Sequence, residues 1–203
     1  MVNSKVRMRN ILTLLWALFV TLCGVWQVQA GELADKLSSA QYVLLMRHAL
    51  APGLGDPPNY SLQNCASQRN LDAKGRQQAQ ATGNWLRAQG IKAADVYTSP
   101  WCRCKETAEQ LQFQTPIVEP TLGSFFDEIH KGPQQTQALQ KWITAQLLNK
   151  TKAQQTKALI LVTHHVNIFG LVGENIGSGD MVLAQINAQG KVIGYKLYPT
   201  PMP

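Results

Sequence analysis

The chain has 203 residues, 45% hydrophobic and 15% charged, with 19 basic and 12 acidic residues and a net charge of +7. That length carries one globular domain, and the apolar content excludes a disordered chain. No repeat of twenty residues or more, no low-complexity tract and no block of like charge occurs, which excludes a solenoid and a charged tail.

The first ten residues hold Lys5, Arg7, Arg9 and no acid, and an apolar run over 11–26 follows, then Val28-Gln29-Ala30. This is the three-part layout of a secretory signal peptide. It predicts cleavage after Ala30 and a mature single domain over 31–203. The run is shorter than the about 20 apolar residues of a membrane span, so a retained anchor is the lesser alternative and no stable span is expected after cleavage. A lipid anchor at Cys23 is disfavoured by bulky Leu22. Loss of the leader removes three basic residues, leaving 16 against 12 and a net charge of +4. That suits an anionic substrate. No stripe of Lys and Arg with interleaved aromatics is present, so a nucleic-acid partner is not expected.

Residues 41–46, a short apolar run, predict a buried strand ending at Arg47-His48. The segment 49–70 is a loop rich in Pro and Gly, long enough to serve a site. Asp72 caps a predicted helix to about Gln89, stopped by Gly90, with Ala79, Gly83 and Leu86 as its packing face. A strand over 95–98 leads through Ser99-Pro100 to a helix ending near Leu111. Residues 134–149 predict another helix. Residues 158–163 are the strongest strand signal and run into His164-His165. Residues 168–173 predict a short helix, and 181–186 with 192–197 a hairpin.

Strands alternating with helices predict an α/β fold with a mainly parallel central sheet. Ligands in such folds bind beyond the carboxyl ends of the strands. Three of these ends carry polar groups: Arg47-His48, Thr98-Ser99 leading to Arg103, and Thr163-His164. In a parallel sheet they share one edge, which gathers two guanidinium groups and two imidazoles. The guanidinium groups offer bidentate sites for a phosphate or carboxylate. An imidazole at a strand end can act as a nucleophile toward phosphorus, provided the phosphoryl charge is held. A second histidine can donate to the same oxygens, and a carboxylic acid must protonate the leaving oxygen.

Cysteine use agrees with export. Cys65, Cys102 and Cys104 follow the leader, and one pair is expected to bridge, Cys65 with either Cys102 or Cys104. The alternative is a metal site of Cys102, Cys104 and His164 or His165. It lacks a second paired-ligand spacing, so neither a metal nor a cofactor is expected.

In these residues the chain resembles the histidine phosphatase superfamily, the phosphoglycerate-mutase-like phosphatases. Arg47-His48-Ala49 stands where that family has Arg-His-Gly. Asn70 to Ala79 is similar to its Leu-turn-Gly helix entry. Ser99-Pro100-Trp101-Cys102-Arg103 through Thr107-Ala108 matches its second arginine motif, and Leu161 to His164 its late histidine motif. The resemblance covers about residues 42–173. It implies a three-layer sandwich with helices flanking the sheet. It also implies His48 as the nucleophile that becomes phosphohistidine, Arg47 and Arg103 as the phosphoryl clamp, and His164 as a hydrogen-bond donor to the phosphoryl group. Ala49 departs from the hallmark glycine and is expected to narrow the approach. His165 replaces a usual glycine and is a pocket-lining candidate. The general acid is expected at Glu128, favoured for its reach, with Asp127 behind it. Arg69, Asn64 and Gln68 are substrate-binding candidates from the long loop. The expected activity is hydrolysis of a small-molecule or envelope phosphomonoester, such as a phosphorylated lipopolysaccharide sugar. The alternatives are a mutase of the same fold and a phospho-ligand-binding module without turnover.

Overall fold

The computed structural model describes residues 31–153 and 155–201. The leader with its cleavage site therefore lies outside the described residues. Six strands form one mixed sheet: β1 (Tyr42–Arg47), β2 (Ala94–Thr98), β3 (Ile117–Val118), β4 (Ala158–Thr163), β5 (Met181–Ile186) and β6 (Val192–Tyr198), in the order β3-β2-β4-β1-β5-β6. The pairs β3-β2, β2-β4 and β4-β1 are parallel, and β1-β5 and β5-β6 are antiparallel.

All six residues of β4 are buried, as a central parallel strand covered on both faces requires. Side chains alternate across a strand, and here the alternation divides the core in two. Leu44, Met46, Ile160 and Val162 face one way and pack with α1 (residues 31–38), α2 (Ala73–Ala88) and α3 (Cys102–Gln110). Val43, Leu45, Leu159 and Leu161 face the other way and pack with α4 (Gly132–Lys152) and α5 (His165–Val172). The result is the expected three-layer α/β arrangement. α1 is not anticipated from the sequence. Leu33 and Leu37, on one side of it, are 1% and 0% exposed, and this burial holds it.

Asp72 caps α2 by accepting from the Gly75 amide at 2.7 Å, and Gly90 turns the chain with φ +90°. Gly75 and Gly83 are required by packing. A Cβ at Gly75 would lie 2.0 Å from the Leu50 carbonyl oxygen, and one at Gly83 2.4 Å from that of Leu111. α5 starts at His165, three residues before the expected Ile168. Asn167 is fully buried in its first turn and donates to the carbonyls of Leu122 and Gly123 and to the Thr163 hydroxyl. These long-range partners let a polar residue sit where the apolar period fails. Among the described residues no helix is long and apolar enough to cross a membrane.

Candidate active site

The register brings the three strand ends level. Arg47 on β1 pairs with Thr163 on β4, and Thr98 on β2 pairs with Val162. The ladder runs on one step further, because the His48 amide donates to Thr163 O at 2.9 Å and the Ser99 amide to Val162 O at 3.0 Å. His48 and His164 thus leave the sheet side by side, with ring centroids 5.5 Å apart and planes at 68°. They line a small cavity of ≈ 50 Å³ with Arg47, Arg69, Arg103, Asp56, Asp127 and His165.

His48 is 2% exposed. Its Nδ1 lies 2.8 Å from the Ala49 carbonyl oxygen, which only accepts, so Nδ1 carries the proton and Nε2 keeps its lone pair. Burial, reinforced by the Arg103 charge, holds the imidazole well below the ordinary histidine pKa, so it is neutral and nucleophilic at neutral pH. His164 is braced on both sides. Nε2 lies 2.8 Å from Ser99 Oγ and Nδ1 3.5 Å from the Arg103 guanidinium. Guanidinium only donates, so Nδ1 accepts and the Nε2 proton points at Ser99. Burial, then His48, lowers its pKa as well.

The cationic wall has spare donors. Arg47 gives one nitrogen to Ile176 O at 2.7 Å, while the buried Nε atoms of Arg47 and Arg103 have no protein partner among the described residues. Unpaired buried donors are costly, and an anion in the cavity is the natural acceptor. Arg103 is held by Asp56, a residue that the sequence reading missed. Asp56 sits in the Pro- and Gly-rich loop and bears no spacing relation to Arg103. Its carboxylate takes Arg103 Nη1 at 2.9 and 3.0 Å, the Trp101 indole N–H at 3.0 Å and the Arg69 amide at 2.9 Å. Arg69 lines the cavity, but its side chain ties down the same loop, donating to Gly55 O at 2.8 Å and to Ala51 O.

The remaining candidates divide. His165, half-buried, lines the cavity with its ring 5.6 Å from that of Phe126. Asn64 is exposed, lies outside the lining and caps a short 3-10 turn through the Ala66 amide. Gln68 is a brace, accepting from the Cys102 amide and donating to Ser61 O, both at 2.9 Å. Asp127 stands at the cavity rim. Glu128 faces solvent, ion-paired to Lys131, and this hydrogen bond lowers its pKa. The two neighbours diverge because a kink at Glu128 (φ −135°, ψ 53°) interrupts the 3-10 segment Phe126–Lys131. Ala49 does not narrow the approach. It is fully buried in a cluster with Ala51, Leu71 and Ala79, and its amide donates to Thr107 Oγ1 at 3.0 Å.

Cys65 and Cys102 form the disulfide, with Cα atoms 5.6 Å apart. It fastens the long loop to the first residue of α3, next to Arg103. This removes Cys102 from the alternative metal set, and no cluster of metal-binding residues occurs among the described residues. Cys104 is a buried free thiol, its pKa pushed up to about 12 by burial. A neutral imidazole, three guanidinium groups and a rim carboxylate around a cavity of this size can accept a tetrahedral oxyanion and attack it in line.

Residues 43–159 match the family model of the histidine phosphatase superfamily, branch 1. The fold is similar to that of the protein histidine phosphatase SixA complexed with tungstate, at 18% identity and a TM-score of 0.52, covering 77% of this chain and 94% of that one. It is also similar to a mycobacterial glucosyl-3-phosphoglycerate phosphatase in complex with VO3, at 12% identity and a TM-score of 0.57, covering 78% and 98%. A third likeness is to mycobacterial hydrolase 2, at 13% identity and a TM-score of 0.56, covering 79% and 90%. No curated protein matches the sequence.

Proposed function

Because the chain belongs to the histidine phosphatase superfamily, we propose that it is an exported phosphatase that hydrolyses a phosphomonoester through a phosphohistidine on His48. The observation that carries this reading is the Nδ1 contact of His48 with the Ala49 carbonyl, which leaves Nε2 unprotonated in a cavity walled by guanidinium groups. Arg47 and Arg103 hold the phosphoryl oxygens, with Arg69 contributing charge. Nε2 attacks phosphorus and the bond to the leaving oxygen breaks. Asp127, rather than Glu128, gives its proton to that oxygen, releasing the alcohol. Water then attacks the phosphohistidine, Asp127 takes its proton, the phosphorus–nitrogen bond breaks, and orthophosphate leaves with His48 restored. The phosphoryl dianion favours protonation of His164, which turns it into the second donor to the phosphoryl group. The reaction needs no metal. The predicted leader and the disulfide support an address in the periplasm or outside the cell.

Rapid quenching of the protein with labelled phenyl phosphate tests this reading. Label on His48 together with released orthophosphate is expected. Label that passes to a second hydroxyl on an acceptor would make the protein a mutase. Orthophosphate binding with neither label nor release would make it a silent module.

A further inference from the structure

The phosphoryl cavity, at ≈ 50 Å³, holds little more than the phosphoryl group. The leaving alcohol must lie outside it. A second cleft of ≈ 860 Å³ opens beside it, between the start of α4, α5 and the 3-10 segment. That volume is in the range of small-molecule sites. His165 lines both, and Phe125 on the cleft adjoins Phe126 on the cavity. The cleft is lined mainly by apolar surface, from Phe125, Ile129, Pro133, Val166 and Phe169, with uncharged glutamines, a threonine and Asn175 between them, and among the described residues no Lys, Arg, Asp or Glu lines it. Ile129 and Phe169 stay 61% and 50% exposed at its mouth, a cost that a ligand removes.

We infer that this cleft is the leaving-group subsite, and that the substrate is an amphiphilic phosphomonoester whose alkyl or aryl body fills it while the phosphoryl group occupies the cationic cavity. This rests on the phosphatase reading above. A cationic cavity joined to an uncharged apolar cleft through His165 matches an anionic head on an apolar body.

Calorimetry of the intact protein with monomeric n-alkylphosphonates, ethyl to octyl, reads the cleft independently of turnover. Burial of each methylene is expected to tighten binding about fourfold, with an increasingly negative heat-capacity change. Ile129→Glu and Phe169→Lys, at exposed positions where folding is not at stake, are expected to cut that increment to about twofold or less. A flat series, or an increment untouched by both variants, overturns the inference. So does sedimentation that shows the cleft closed by a second copy which either variant releases. Hydrolysis of the matching alkyl phosphates separates the two claims: chain-length-dependent binding without phosphate release sinks the phosphatase reading and leaves the subsite standing.

Discussion

The carboxylate of Asp56 holds one nitrogen of the Arg103 guanidinium at 2.9 and 3.0 Å, with the two side chains 3% and 4% exposed. A buried pair of this kind holds its place only while both partners are present, since removal of one leaves an uncompensated charge. Asp56→Asn is therefore expected to cost about 3–5 kcal/mol. Orthophosphate should restore more stability to the variant than to the native protein, because the anion supplies the missing charge. Denaturant titrations with and without phosphate check this, and an equal phosphate effect on both proteins contradicts it.

His48→Ala should lose the covalent label and lower turnover by roughly 10³-fold or more. Orthophosphate affinity should change much less, because the clamp of Arg47 and Arg103 is intact. Single-turnover quenching and equilibrium binding on the same preparation separate the two effects.

Asp127→Asn is expected to lower kcat by roughly 10²–10⁴-fold on alkyl phosphates, and by far less on nitrophenyl phosphate, whose leaving group needs no proton. Glu128→Gln should leave both substrates within about twofold, since that carboxylate points to solvent. The reverse pattern would assign the acid to Glu128.

The histidine shifts set an acid limit to stability. His48 and His164 titrate well below the ordinary value of 6.5 when folded, so below about pH 6.5 the unfolded chain binds protons that the native one refuses. Stability is full above that pH and falls beneath it, by up to about 1.4 kcal/mol per pH unit for each of the two. Urea denaturation between pH 7.5 and 5 measures the slope, and His48→Asn should flatten it.

Reduction of the Cys65–Cys102 bridge, whose partners are 37 residues apart, should cost about 4 kcal/mol through the entropy of the unfolded loop. Cys104 should resist thiol reagents in the native state, since a buried thiol with its pKa near 12 offers almost no thiolate. Rapid labelling of Cys104 without unfolding would contradict this.

His48, His164, Arg47 and Arg103, which line the cavity, are legible in the sequence because each follows a strand or opens a helix, and parallel strands place their carboxyl ends together. Local signals also place Asp72 as a cap, Gly83 on the packing face of α2, and β4 residue for residue. The acid is not legible. Asp127 and Glu128 are chemically alike and adjacent, and a backbone kink alone sends one to the rim and the other to Lys131.

What local chemistry settles, then, is where strands and helices start and which side chains stand at their ends, because hydrophobic period, caps and turns act over a few residues. Three features belong to tertiary structure alone: the hold of Asp56 on Arg103 across 47 residues, the Ser99 brace on His164 across 65, and the apolar cleft meeting the cationic cavity at His165. Each depends on groups far apart in the chain that become neighbours only when helices pack on both faces of the sheet. Without water between them, charge pairing and unpaired donors acquire an energy that no spacing in the chain records.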